Sequence, residues 1–263
     1  IYFLVLAGLL VLKRASITIN TDFYEHPWYY WTYLYNHWLE QQANWADTLS
    51  PYWSLSVEEQ FYVLWPFSIL LISSRFRAYF LWFCVLFGIA FRYYSVHLQQ
   101  GIGVYMLTCV DTFAWGALLA HYIREERSAE IAVWIRRSII PIIFCFLMIC
   151  LKHTDADLVK QLFFRTFTSL VSVALLFYSM QAGSFAKILS ISPLRLIGQM
   201  SYGIYLYHML VPDLFFKIAG KLHIPIPELP FNIVPFIVLF TFSFLSLNLI
   251  EKPIQSFKRF FVS

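Results

Sequence analysis

The sequence predicts an all-α polytopic transmembrane helix bundle, and three observations carry that prediction. Hydrophobic residues make up 60% of the 263 residues and charged ones 13%, against about 45–50% and roughly 25% in soluble domains. The mean hydropathy is +0.64. The apolar residues fall in continuous runs, not in the alternating pattern of a spanning barrel. In hydrocarbon only helices or closed barrels satisfy their own backbone groups.

A helical crossing needs about 20 apolar residues. Runs of that character cover 1–13, 57–73, 76–96, 105–123, 138–151, 163–181, 197–216 and 232–250, about eight spans within a single domain over 1–263. The first run opens in mid-stretch at Ile1, with neither the charged n-region nor the small-residue cleavage site of a signal peptide. A chain whose beginning is absent is therefore expected. The run at 138–151 is short. Pro66 lies inside the run at 57–73 and is expected to kink it. Gly116 and Ala120 form a small-xxx-small pair, which reads as close helix packing. Cys84, Cys109, Cys145 and Cys150 sit in or beside apolar runs with no CxxC pair, and read as small apolar residues, not as metal ligands or disulfides.

Basic residues in short loops set the orientation. Arg75 and Arg77, Arg124 to Arg137, Lys187 and Arg195, and Lys252, Lys258 and Arg259 fall on one side, placed in the cytoplasm. The other side carries most of the acids, among them Asp22, Glu25, Glu40, Asp47, Asp155, Asp157 and Glu228. There lies the long segment 14–56, rich in Trp and Tyr, which as a long ordered loop is a candidate for function. Its stretch Trp28–Leu39 is either re-entrant, a geometry tolerated only when buried in protein, or an interfacial helix. The tail 253–261 mixes aromatics with cations and suits the headgroup zone. The net charge of +4 is small and spread out, which argues against nucleic acid. Walker, HExxH, GxSxG and GxGxxG motifs are all missing, and nine glycines leave little room for a phosphate loop.

Polar groups inside apolar spans are costly, about 2.5–3.5 kcal/mol each, and tend to mark function. Trp53-Ser54-Leu55-Ser56-Val57-Glu58-Glu59-Gln60-Phe61-Tyr62 opens the second span, and on a helix Ser54, Glu58 and Tyr62 share one face. Glu59 reads as a first-turn acid favoured by the helix dipole. Asp111, with Thr108 and Thr112 beside it, must face the protein interior or a wet cavity. In Ile197-Gly198-Gln199-Met200-Ser201-Tyr202-Gly203-Ile204-Tyr205-Leu206-Tyr207-His208, the residues Ser201, Tyr205 and His208 are expected on one face, with Tyr202 and Tyr207 packing. Glu58, Asp111 and His208 are expected to share a hydrophilic chamber.

At these residues the chain resembles the acyltransferase-3 family of integral-membrane O-acyltransferases. The run Trp53–Tyr62 followed by Leu64-Trp65-Pro66 resembles one signature of that family, and Ile197-Gly198 with Ser201–His208 a second. Asp111 with Gly116–Ala120, Asn36 in Tyr33–Asn36, and Glu251-Lys252-Pro253 resemble weaker ones. The resemblance implies a ten-span core that transfers an acyl group, commonly acetyl from acetyl-CoA, to a hydroxyl of a carbohydrate or glycoconjugate in the bacterial envelope. It implies acyl-CoA as co-substrate with no bound cofactor, and a multi-pass protein of the bacterial inner membrane in contact with lipid. The family's base is a His of the first span and its CoA phosphates meet paired arginines. Neither stands at the expected place here, which fits a chain lacking two preceding helices. On this resemblance Glu58 and His208 are the candidate catalytic residues. Trp53, Ser54, Ser56, Gln60, Tyr62, Asn36, Ser201 and Tyr205 are candidates for substrate binding, and Asp111 is a structural polar group. The competing readings are a transporter of a lipid-linked sugar or small solute, without the inverted repeat such folds often show, and an inactive truncated homologue.

Overall fold

A computed structural model describes residues 1–98, 103–151, 157–224 and 233–256. Among them every regular element is helical. In chain order these are α1 (Tyr2–Arg14), α2 (Pro27–Trp31), α3 (Tyr35–Gln42), α4 (Tyr52–Leu71), α5 (Arg77–His97), α6 (Met106–Arg124), α7 (Ser128–Cys150), α8 (Leu158–Met180), α9 (Ser184–Leu189), α10 (Ser192–Tyr207), α11 (Leu210–Lys221), α12 (Ile233–Ser246) and α13 (Lys252–Ser256). A π-helical turn, Leu247–Glu251, joins the last two. Asp155, Glu228, Lys258, Arg259 and the tail beyond Ser256 lie outside the described residues.

Five described helical stretches are long and apolar enough to cross a membrane: Ser74–His97, Met106–Arg124, Ser128–Cys150, Leu158–Met180 and Ile233–Ser256. They match five of the expected runs. The run at 138–151 belongs to a helix that starts ten residues earlier, so Arg136 and Arg137 are helical and not in a loop. The run at 1–13 forms the 13-residue α1. The run at 57–73 is part of the 20-residue α4, which begins five residues upstream and continues through Pro66. The run at 197–216 is not one helix: it breaks at His208 and Met209. Pro212 has no N–H for the carbonyl of His208, four residues back, and its ring crowds that carbonyl.

The chain divides into two compact units, Ser56–Leu189 and Ile1–Leu55 with Ser190–Ser263. The first unit packs α5 against α6 through Leu81, Cys84, Val85, Val110, Ala114 and Leu118, with Trp65 of α4 alongside. A second cluster, Leu119, Ile135, Ala174 and Phe177, ties α6, α7 and α8 together. Leu70, Leu71 and Ile140 are 79%, 85% and 76% exposed, as apolar side chains facing acyl tails are. Lipid tails are as apolar as leucine, so these helices associate by close packing and internal polar bonds, not by escape from water. The close packing comes from Gly88: a Cβ there would lie 2.9 Å from the Cβ of Asp111. The Gly116–Ala120 pair plays no such part, since a Cβ on Gly116 would meet nothing within 4 Å.

In the other unit the segment between α1 and α4 is ordered around one carboxylate. Asp47, fully buried, accepts hydrogen bonds from the Tyr30 hydroxyl at 2.7 Å, the Asp22 N–H at 3.0 Å and the Leu49 N–H at 2.6 Å. Asp22 in turn accepts from the Trp38 indole at 3.0 Å and the Asn44 amide at 3.1 Å. Tyr2 of α1 donates to the Tyr30 carbonyl at 2.9 Å. The stretch Trp28–Leu39 is not one continuous helix. It is two short helices broken at Thr32–Leu34, where Tyr33 takes a left-handed φ of 54°.

Burial, with the Asp47 charge next, raises the pKa of both Tyr30 and Tyr35 above the usual tyrosine value. The folded state keeps these protons where the unfolded chain gives them up, so the stability they contribute is intact below pH ~10 and falls as pH rises above it. Thermal unfolding followed from pH 8 to 11.5 is expected to show the decline beginning near pH 10. Replacing Tyr30 by Phe should flatten it.

Candidate active site

The two signature stretches meet at the helix break. Tyr205, in the last turn of α10, donates its hydroxyl to the Pro51 carbonyl at 2.8 Å and shares a very short hydrogen bond with the Ser54 hydroxyl. Ser54 also reaches the Pro51 carbonyl at 3.3 Å. At the adjoining residue of α10, Tyr52 donates to the Leu206 carbonyl at 3.1 Å, with its ring buried. The N-terminus of α4 is thus tied to the C-terminus of α10 by side chains from both signatures.

His208 caps α10 and stays exposed. Its Nδ1 lies 2.6 Å from the Tyr205 carbonyl. A carbonyl only accepts, so Nδ1 carries the proton, and in the neutral ring Nε2 presents a lone pair. The Tyr205 and His208 rings are 5.6 Å apart. Tyr205 and His208 are therefore neighbours, as expected. Ser201 differs: it is exposed and bonds within its own turn, to the Gly198 carbonyl at 2.8 Å.

Along α4, Trp53 and Ser54 are half-buried and Ser56 fully buried. Glu58 and Gln60 are half-buried, and Tyr62 is 58% exposed. The continuous helix puts Glu58 one turn after Ser54 on the same face. Asn36, on α3, is fully buried.

Asp111 has a partner that the local sequence did not point to. Arg92 of α5 meets it with both terminal nitrogens, Nη1 to Oδ1 at 2.6 Å and Nη2 to Oδ2 at 2.7 Å. The Thr166 hydroxyl of α8 adds a third bond at 2.6 Å. Arg92 also donates to the Leu162 and Thr108 carbonyls, at 2.9 and 2.7 Å, and to Thr166 at 2.7 Å. Thr108 serves through its carbonyl and turns its hydroxyl to Tyr105, and Thr112 is exposed. Both Asp111 oxygens are occupied in a fully buried, fully paired clamp of three helices, so this carboxylate does not line an open hydrophilic chamber. Arg92, deep inside the apolar stretch 76–96, was the available signal. Arg165, at the start of the 163–181 run, was also overlooked: it reaches the Cys109 sulfur at 2.9 Å and the Gly103 carbonyl.

A second polar cluster lies on the opposite side of the signature in α10. Gly203 leaves room for Glu251, whose Oε1 would be 3.2 Å from an added Cβ. Tyr207 is buried and hydrogen-bonded to Ser246 at 2.9 Å, and Ser246 reaches Glu251 at 3.5 Å. The π-turn carries Glu251 inward; such turns often occur at functional sites. Among the described residues no group of three or more His, Cys, Asp or Glu side chains is placed to hold a metal ion.

Comparison with known proteins adds to this geometry. The acyltransferase-domain model of the acyltransferase-3 family matches residues 2–248. Two relatives, both named O-acetyltransferase OatA, from Staphylococcus aureus strains NCTC 8325 and COL, are each 26% identical over 275 residues, covering 95% of this chain. The chain spans 43% of the length of these relatives. No solved structure matches.

Proposed function

Because the chain belongs to the acyltransferase-3 family, we propose that it is the membrane domain of an O-acyltransferase moving an acetyl group from acetyl-CoA to a carbohydrate hydroxyl. Its place on this reading is the bacterial cytoplasmic membrane. The main support is that the matched stretch contains both polar helix junctions, Ser54–Glu58 and Tyr205–His208, and that Ser54 of one is hydrogen-bonded to Tyr205 of the other. The named relatives are O-acetyltransferases of a bacterium.

The reaction forms an ester bond and breaks a thioester. The acceptor hydroxyl gives up its proton and attacks the thioester carbonyl, and CoA leaves as the thiol. A base must take the proton and donors must hold the oxyanion. His208 offers Nε2 to the acceptor hydroxyl, with its tautomer set by the Tyr205 carbonyl. Glu58, one turn beyond Ser54 on the same helix, binds an acceptor hydroxyl. Ser54 and Tyr205 fix the position of His208, and Trp53, Asn36 and Ser201, with Ser56, Gln60 and Tyr62 further along α4, are the further residues proposed for substrate binding.

Glu58→Gln, at unchanged membrane levels, is expected to lower acetyl transfer about 10- to 150-fold, the scale of one hydrogen bond to a charged group. Tyr205→Phe should cost less, through misplacement of His208. Radiolabelled acetyl transfer to envelope carbohydrate measures both. Wild-type turnover in Glu58→Gln would take this residue out of the site.

A further inference from the structure

Glu251 is a carboxylate that the proposed transfer leaves unused. It lies in the unit formed by Ile1–Leu55 and Ser190–Ser263, where the π-turn Leu247–Glu251 interrupts the apolar stretch Ile233–Ser256, and it is 6% exposed. Among the described residues no positive group comes within ion-pair distance of it. The adjoining Lys252 gives its ammonium to the Asn248 side chain at 2.7 Å. The Ile1 ammonium acts on Glu251 only from beyond ion-pair distance. The polar neighbours of Glu251 are hydroxyls. Ser246 Oγ is 3.5 Å from Oε1, and the Tyr207 hydroxyl is 2.9 Å from Ser246. Ser243, three residues before Ser246 on α12, is fully buried, and its Oγ has no hydrogen-bond partner. Gly203 of α10 gives these groups their room. The point that a Cβ would take there is 3.2 Å from Glu251 Oε1 and 3.7 Å from the Ser243 Cβ, so both side chains converge on one place.

A carboxylate buried in apolar surroundings is very costly unless it is paired or holds a metal ion, and acids inside spans often mark ion sites. The 3.5 Å between Oε1 and Ser246 Oγ is long for an O–H···O bond, which prefers about 2.7–2.8 Å. It suits two oxygens around one small cation. At roughly 2.4 Å from an ion of calcium's size, oxygens at a right angle stand ~3.4 Å apart. One carboxylate balances one positive charge, so a monovalent ion leaves the site neutral and a divalent ion does not. Hard cations take oxygen ligands, hydroxyls included, so no further His, Cys, Asp or Glu is required. A proton on Glu251 would cancel its charge but leave the Ser243 hydroxyl unmatched, whereas an ion takes lone pairs from both serines. We propose that Glu251, Ser246 and Ser243 form a sodium-ion site between α10 and α12, with Tyr207 holding Ser246 in place. The bound ion joins α12 to α10 on the side away from Tyr205 and His208.

The test uses the whole protein in nanodiscs, with sodium exchanged for potassium or choline at fixed ionic strength. Radioactive sodium is expected to bind saturably to the unaltered protein in equilibrium dialysis, with potassium a weak competitor. Sodium in place of choline should raise Tm by roughly 5–10 °C at saturation, as a ligand of the folded state does. Ser243→Ala should weaken sodium binding about 10- to 150-fold, the range for one polar contact to a charged group, while Tm in choline does not fall. Glu251→Gln should abolish binding. The dialysis on unaltered protein needs no folded variant. Absence of saturable sodium binding, equal Tm in sodium and choline, or undiminished binding by Ser243→Ala would each overturn the proposal. The first two would assign Glu251 a proton in place of the ion. Binding and Tm are read without donor or acceptor, so the result stands apart from the acyl-transfer reading.

Discussion

Arg92→Ala is expected to destabilise the protein by about 3–5 kcal/mol, the cost of leaving one half of a buried pair uncompensated. The guanidinium gives five hydrogen bonds to Asp111, Thr166, Thr108 and Leu162, and it is fully buried. Removing it strands the Asp111 carboxylate against Gly88, where α5 and α6 leave no room for a Cβ. The converse experiment is more telling. Replacing both partners by apolar residues of similar volume, Arg92→Met with Asp111→Leu, should recover most of the loss, because desolvation of the two charges offsets much of their attraction. Thermal unfolding in detergent micelles, followed by tryptophan fluorescence, gives the comparison. A loss under about 1 kcal/mol for Arg92→Ala would show that the clamp is not what unites α5, α6 and α8.

Asp47→Ala should have a comparable effect, confined to the segment between α1 and α4. One hydroxyl and two backbone N–H groups bond to this carboxylate. Each buried donor left without an acceptor costs about 1–3 kcal/mol, so the sum approaches or exceeds the cohesion of so small a layer. Hydrogen exchange and limited proteolysis are expected to show residues 15–52 opening while α5–α8 stay protected, since no hydrogen bond of Asp47 involves those helices. Thr48 and Ser50, next to Asp47, bond to Asp213 at 3.2 Å and to the Met209 sulfur at 3.9 Å. Loosening them should also free the helix break beside His208, so transfer activity falls in the same variant. An unchanged cleavage pattern would mean that the aromatic stack around Tyr30 and Tyr35, with centroids 4.2 Å apart, holds the segment without Asp47.

The helices were legible because lipid leaves the backbone little choice: a long apolar run must pair its own N–H and C=O groups. That logic located α5, α6, α8 and α12 nearly to their ends. It failed at α7, whose first turns carry Glu130, Arg136 and Arg137 and so look like loop. It also failed at His208, where an apolar run conceals a break that Pro212 could have announced. The first signature was legible as a polar helix entrance, and its i, i+4 face follows from α4 being continuous. The bonding of Ser54 to Tyr205, 151 residues apart, was not legible at all.

The sequence alone determined that this is a helical membrane protein of the acyltransferase-3 kind, and that Asp111 had to be satisfied within the protein. Those conclusions depend only on the cost of exposing polar groups to hydrocarbon and on motifs contiguous in the chain. The tertiary structure alone decided that Arg92 satisfies Asp111, that Tyr205 is tied to Ser54, and that three tryptophans from three helices line one cavity. Each of these depends on which faces of distant helices meet, and helical periodicity states that a face exists without stating what lies across from it.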